Sequence, residues 1–127
     1  MPEMESVLGE KSCDFIREIT GKNLQLHKSL GNFFKRITLV HKSRPERFTI
    51  DVNLGFDQDQ NEIELSQMVI AELKQSSQSR ETESFQSLRK LGIRPMGMSK
   101  YCLGMMLTRP GLKHNNFKRK RIFVEKL

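Results

Sequence analysis

RFTIDVNLGF, residues 47–56, alternates polar and apolar side chains along its whole length. Successive side chains of a β-strand point to opposite faces, so this stretch predicts a strand with one dry face and one wet face. The predicted dry face consists of Phe48, Ile50, Val52, Leu54 and Phe56, and the predicted wet face of Arg47, Thr49, Asp51 and Asn53. Such a strand is typical of an antiparallel sheet that packs one side on a core.

The segments around this strand predict further antiparallel strands and several helices. Residues 33–41 alternate in the same way, and the turn at 42–45 joins them to 47–56 as a β-hairpin. After a polar turn at 57–61, residues 65–74 predict a third strand. The predicted helices lie within 7–20, closed by Gly21, around 85–91, after Ser99 and over 117–127. The pattern therefore predicts an α+β fold.

Length and composition indicate one soluble domain. The 127 residues are 36% hydrophobic and 29% charged, and the mean hydropathy is −0.55, as in globular proteins. The apolar runs are too short to cross a bilayer, and the first residues carry acid where a signal peptide needs positive charge. Two distant cysteines, Cys13 and Cys102, favour reduced thiols over a disulfide framework or a zinc site. We therefore expect a cytoplasmic protein with no membrane span.

The charge of the chain predicts an anionic partner. Lys and Arg number 22 against 15 for Asp and Glu, which gives a formal net charge of +7 at pH 7. Such a balance attracts nucleic acid, a phosphorylated small molecule or an acidic membrane surface. Charge alone does not choose among the three.

The wet faces of the three predicted strands indicate a phosphate site. If they line one concave surface, the charged residues that converge there are Arg36, Arg47, Glu72 and Lys74. Several cations and one carboxylate suit a phosphate with a divalent cation. Any half-exposed sheet shows the same alternation, and Glu72 beside Lys74 is also typical of a surface ion pair. Asp51 is a possible ligand or, more commonly, a buried hydrogen-bonding partner of Arg47.

Four segments in this order resemble successive motifs of the vacuolar transporter chaperone (VTC) type of polyphosphate polymerase domain. They are FKRITL (34–39), RFTIDVNLGF (47–56), MVIAELK (68–74) and MSKYCLGM (98–105). That family belongs to the CYTH-like triphosphate tunnel metalloenzymes. The resemblance covers residues 30–127 and only the C-terminal half of the family's domain. It divides the chain into a helical lead-in, 1–32, and a VTC-like half-domain, 33–127.

The resemblance implies a sheet that forms part of a tunnel-type β-barrel, flanked by helices, whose basic side chains hold polyphosphate, ATP or another triphosphate. It implies transfer of the terminal phosphoryl group of ATP to polyphosphate, with Mn²⁺ or Mg²⁺. The implied phosphate-binding residues are Arg36, Arg47, Lys74, Ser99 and Lys100. The implied metal ligand is Glu72, and Lys100 and Glu72 are the implied catalytic residues.

The early strands of the family have no counterpart before residue 30, and Phe34 stands where the family has a tyrosine. An incomplete barrel predicts a homodimer, a partner chain that supplies the N-terminal half, or an inactive truncated remnant. The alternative function is a non-catalytic module that binds a polyanion, either polyphosphate or RNA. The predicted position of the Phe48 and Phe56 rings on the dry face argues against nucleic acid, because open sheets bind it with rings on the wet face.

Overall fold

The computed structural model describes residues 8–127, in which one open antiparallel sheet is flanked by helices. The elements are α1 (Glu10–Thr20), β1 (Gly31–Val40), β2 (Glu46–Gln58), β3 (Asn61–Leu65), β4 (Ile70–Gln75), α2 (Glu83–Lys90), α3 (Lys100–Thr108) and α4 (Lys118–Val124). The predicted α+β class with an antiparallel sheet is confirmed. The four strands of the described residues do not close into a barrel.

The long strand β2 lies at the centre of the sheet and pairs on both edges. β1 pairs with it along one edge. On the other edge, β4 pairs with its first half and β3 with its second half. The prediction of a single strand over 65–74 is therefore wrong. The chain turns after Leu65, where the N–H of Met68 donates to the Leu65 carbonyl, and this turn brings Met68 into the core.

A β-bulge at Asn53 interrupts the alternation of β2. Asn53 has a φ of 53°, a left-handed conformation that asparagine tolerates better than most residues. The register shifts at the same place, because Lys35 lies opposite Val52 whereas Phe33 lies opposite Gly55. One residue of β1 thus faces two residues of β2. An extra residue of this kind turns all following side chains to the other face.

The bulge changes which residues of β2 share a face. Leu54 and Phe56 lie on the same side of the sheet as Asp51, and opposite to Phe48 and Ile50. The prediction of one continuous dry face from Phe48 to Phe56 is wrong for this reason. A polar and apolar alternation predicts a face only while the register is unbroken.

The hydrophobic core lies between the second half of β2 and the helices. Its buried members are Leu54, Phe56, Met68, Leu103 and Val124. Gly104 brings α3 close to the sheet, because its missing side chain leaves room for the Phe56 ring. A larger residue at position 104 would push α3 away from the sheet, because the observed contact leaves no space between them.

Helix α3 runs along β2 through residues spaced four apart. Lys100 bonds to Asp51 at the start of the helix, and the Thr108 hydroxyl donates to Gln58 Oε1 over 2.9 Å at its end. Gly104 lies midway between them. Residues four apart share one face of a helix, so a single face of α3 meets three successive parts of β2.

The predicted helix ends are largely confirmed. Ser99 caps α3 with its side chain, and Gly21 ends α1 with a φ of 66°, as the sequence predicts. Val7, a predicted member of the first helix, lies outside the described residues. Cys13 and Cys102 are free thiols. Over residues 8–127 no helix combines the length and apolar character that a bilayer crossing needs.

The first half of the sheet presents an apolar face that the core does not cover. Two rows of directly paired residues cross β1, β2 and β4 there. The first row is Leu39, Phe48 and Leu73, and the second is Ile37, Ile50 and Ala71. We refer to these six residues as the apolar face. None of the six is buried.

Candidate functional site

The opposite side of the same strands carries charge. We refer to this side as the charged face, and its charged residues are Arg36, Arg47, Asp51, Glu72 and Lys74. The register places Arg47 directly opposite Lys74 and Arg36 directly opposite Asp51. Adjacent strands are about 4.8 Å apart, so cations from three strands lie within reach of one extended ligand.

Asp51 is the buried centre of the charged face. Its side chain is 3% exposed, and Arg36 donates to both of its oxygens, from Nε over 2.6 Å and from Nη2 over 2.8 Å. Lys100 Nζ donates to Oδ2 as well. The prediction that Asp51 is the hydrogen-bonding partner of Arg47 is therefore wrong. Arg36 lies directly opposite Asp51 on β1, whereas Arg47 lies four residues before it on β2 and pairs across to Lys74.

These contacts set the protonation of both partners. The hydrogen bonds from Arg36, supported by the Lys100 ammonium, lower the pKa of Asp51 to about 2 although burial opposes the shift. The hydrogen bond to Asp51 also raises the pKa of Arg36. Asp51 is therefore ionised at neutral pH and holds two cations, one from β1 and one from α3, in fixed positions.

The ring of Phe34 supports the same two cations. Lys100 Nζ lies 3.7 Å from the ring centroid, and Arg36 Cζ lies 5.0 Å from it. Both distances are within the range of cation–π attraction. Phe34 thus helps to hold the ammonium and the guanidinium that bind Asp51, which is a role for an aromatic ring without a hydroxyl.

Glu72 and Lys74 form an ion pair at the solvent side of the charged face. Glu72 Oε1 lies 3.3 Å from Lys74 Nζ, and both side chains are at least half exposed. Exposed pairs of this kind stabilise a protein very little. The pair is therefore available to exchange partners when an anion or a cation arrives.

Ser99 and Lys100 stand at the start of α3, next to the charged face. The Ser99 hydroxyl oxygen accepts the backbone N–H of Cys102 over 3.3 Å, which makes it the N-cap of the helix. Lys100 reaches Asp51. The structure thus brings Lys100 and Arg36 together at Asp51. The hydrogen bond of Ser99 caps the helix.

The oxygen donors on the charged face are few. In the part of the chain that the structure describes, no three His, Cys, Asp or Glu side chains lie together in a way that could hold a metal ion. Asp51 is occupied by two cations, which leaves Glu72 as the more accessible carboxylate. A single carboxylate fits Mg²⁺ or Mn²⁺ when the remaining ligands are water and phosphate oxygens.

The sequence contained a signal for the missed role of Asp51. Lys100, Gly104 and Thr108 repeat at an interval of four residues with a glycine at the centre, which indicates a helix face pressed against another element. Asp51 is the acidic residue in the middle of an otherwise uncharged part of β2. The repeat indicates that Lys100 lies on a helix face packed against the sheet, but the choice of Asp51 over Glu72 as its partner depends on how α3 packs on β2.

An open cavity of about 490 Å³ lies beside the bulge. Its lining consists of Phe33, Phe34, Lys35, Asn53, Leu54, Glu64 and Ser66. The two charged lining groups, Lys35 and Glu64, have opposite signs. This cavity therefore does not favour an anion as the charged face does.

The candidate site consists of the charged face together with the first turn of α3. Its cations come from β1, β2, β4 and α3, and its buried carboxylate comes from β2. A scan against protein-family models and searches of curated proteins and of solved structures found no match to this chain.

Proposed function

We propose that this chain binds inorganic polyphosphate, or the triphosphate of a nucleotide such as ATP, along its charged face. The observation that carries the proposal is the arrangement around Asp51, which holds Arg36 and Lys100 in place beside the paired cations Arg47 and Lys74. Four cations against two carboxylates favour a polyanion. A linear chain of phosphates places one charge near each cation, and arginine can bind a phosphate with two hydrogen bonds.

The cations differ in how much hydrogen-bonding capacity they retain. Arg36 uses its Nε and Nη2 on Asp51, which leaves other guanidinium N–H groups for a ligand. Arg47 has no ion-pair partner among residues 8–127. Arg47 is therefore the residue from which a phosphate gains most, while Arg36 positions the ligand at the other end of the face.

We propose further that the sheet is part of a tunnel-type barrel and that the charged face lines the tunnel. The resemblance to VTC-type polyphosphate polymerases supports this proposal, as do the two open edges of the described sheet, where further strands can pair. In such an assembly Glu72 would hold Mn²⁺ or Mg²⁺ together with the phosphates. The metal would neutralise charge during phosphoryl transfer from ATP to polyphosphate. Lys100 and Arg36 orient the phosphates.

Arg47→Ala is expected to weaken binding of tripolyphosphate about tenfold, because it removes one charge-assisted contact. Isothermal titration calorimetry with the full chain measures the change. Arg89→Ala is the matched control, since Arg89 is exposed on α2 and its replacement changes the net charge equally. Equal losses in the two variants would show that the affinity depends on net charge and not on the charged face.

Glu72→Gln is expected to remove the increase in tripolyphosphate affinity that Mn²⁺ produces, because it removes the accessible carboxylate. Affinity without metal should not fall, since the substitution also removes a negative charge from the path of a polyanion. Titrations with and without Mn²⁺ separate the two effects. Glu64→Gln on β3 is the control and should keep the response to Mn²⁺. A normal response in Glu72→Gln would refute the assignment of the metal ligand.

A second candidate ligand is single-stranded RNA. The net charge of +7 attracts it, but stacking of a base on Phe34 requires the base to displace Lys100, whose Nζ lies 3.7 Å from the ring centroid. The sequence argument against RNA rested on other rings. Competition between RNA and tripolyphosphate distinguishes the two candidates. If polyphosphate is the ligand of the charged face, tripolyphosphate should displace bound RNA, and RNA should not displace bound tripolyphosphate.

A further inference from the structure

We propose that the outer side of α4 binds the surface of a membrane that contains anionic lipids. The residues that form this site are the cations Lys118, Arg119 and Lys126 and the apolar residues Ile122 and Phe123. We refer to these five residues as the basic patch. All five are exposed, Ile122 at 43% and Phe123 at 48%. The proposal is independent of which anion the charged face binds.

Most of the surplus positive charge of the chain lies near this helix. Residues 112–127 contain six Lys and Arg against one Glu, which is an excess of five in a net charge of +7. That acid, Glu125, accepts a hydrogen bond from Arg121 Nε over 2.6 Å, so it pairs with a cation outside the basic patch. The candidate site on the sheet, in contrast, holds four cations against two carboxylates. An anionic surface is therefore attracted most strongly to the α4 region.

The packing of α4 keeps the basic patch on the outside. Val124 is the buried residue of this helix and belongs to the hydrophobic core. Ile122 lies two positions before Val124, which places it about 200° around the helix and away from the core. Residues four apart share one face of a helix, so Lys118 lies beside Ile122. In the same way Arg119 lies beside Phe123. Each exposed apolar side chain of α4 thus has a cation next to it.

The exposed apolar side chains favour a bilayer over a nucleic acid. Cations alone attract either partner. Ile122 has no ring on which a base can stack, whereas an aliphatic side chain is stabilised at the boundary between lipid headgroups and acyl chains. Leu127, whose N–H donates to the Val124 carbonyl, adds a second exposed aliphatic side chain. The long stems of Lys118 and Arg119 let their charged ends contact headgroups while the apolar neighbours insert.

Sedimentation of the full chain with lipid vesicles tests the apolar part of the patch. We expect the wild type to bind vesicles of equal parts phosphatidylserine and phosphatidylcholine, and not to bind vesicles of phosphatidylcholine alone. Ile122→Ser/Phe123→Ser should weaken binding to the anionic vesicles at least about tenfold, although the net charge is unchanged. The matched control is Leu91→Ser/Ile93→Ser, because these residues are 74% and 50% exposed outside α4. The control should bind as the wild type does.

Lys118→Ala/Arg119→Ala tests the electrostatic part of the patch. It should weaken binding to the anionic vesicles roughly twentyfold, because each cation near an anionic membrane contributes to the affinity. The matched control is Arg89→Ala/Lys90→Ala, since these residues are exposed at the end of α2 and their replacement changes the net charge equally. Equal losses in the two variants would overturn the proposal, because the affinity would then follow net charge and not the basic patch.

Other outcomes would also overturn the proposal. A wild type that does not bind the anionic vesicles would do so, as would normal binding by Ile122→Ser/Phe123→Ser. Labelled single-stranded RNA that binds the wild type, and that Lys118→Ala/Arg119→Ala loses while the vesicles stay unbound, would assign the patch to nucleic acid instead. Circular dichroism checks that each variant is folded. If the apolar double variant fails to fold, the single variant Ile122→Ser takes its place.

Discussion

Asp51→Asn is expected to lower the free energy of unfolding by about 2 kcal/mol, because it leaves Arg36 and Lys100 without their shared carboxylate. Breaking a fully buried ion pair costs about 3–5 kcal/mol. The value here is smaller because the Arg36 side chain is 41% exposed and water screens the remaining charge. Urea denaturation followed by circular dichroism measures the difference.

Asp59→Asn is the matched control for this variant. Asp59 is exposed in the turn between β2 and β3 and has a φ of 52°, which asparagine tolerates. The same chemical change there should alter the free energy of unfolding by less than about 0.5 kcal/mol. Similar losses in both variants would show that Asp51 has no special role in holding α3 and β1 together.

The contribution of Asp51 also depends on pH in a defined direction. Its pKa in the folded protein is about 2, below the ordinary value of about 3.9 for an unfolded chain. The stabilisation is therefore complete above about pH 4 and is lost as the pH falls towards 2. The difference in free energy of unfolding between the wild type and Asp51→Asn should shrink over this interval. An equal difference at both ends would contradict the ion-pair assignment.

Gly104→Val is expected to lower the free energy of unfolding by about 3 kcal/mol. A Cβ atom at this position would lie 2.5 Å from Leu30 Cδ2 and closer still to the Phe56 ring. Phe56 is fully buried, so its ring has no free space to enter. The helix must then move away from β2. Chemical denaturation gives the magnitude, and near-ultraviolet circular dichroism reports the disturbed packing of the aromatic rings.

Gly97→Val serves as the comparison for this substitution. A Cβ at Gly97 would meet nothing within 4 Å, so valine there should be nearly neutral. The two variants add the same atoms at positions only seven residues apart. A comparable loss at both positions would show that the effect comes from the residue type and not from the close approach of α3 to the sheet.

Most of the fold was predictable from local sequence patterns. The hairpin of β1 and β2 follows from alternation on both sides of a turn, and α3 follows from Ser99, whose side chain satisfies a helix N–H. The break between β3 and β4 was missed because Met68 continues an apolar run. Its burial depends on a contact with the distant α3 region, which no local pattern contains.

The candidate site was predictable only in part. The placement of Arg36, Arg47, Glu72 and Lys74 on one face follows from a period of two and an unbroken register before the bulge. The partner of Asp51 was not predictable in this way. Spacing within a strand predicts which residues share a side of the sheet. A contact between β2 and a helix that follows it by about fifty residues depends instead on how the chain packs.

The bulge at Asn53 makes the length of β2 as important as its composition. Removing one residue from this strand would restore a strict alternation and exchange the sides of everything that follows, so Leu54 and Phe56 would leave α3. Many single substitutions along β2 preserve this arrangement, but a one-codon deletion does not. Natural variants of this strand are therefore expected to carry substitutions at exposed positions but to conserve the number of residues between Asp51 and Phe56.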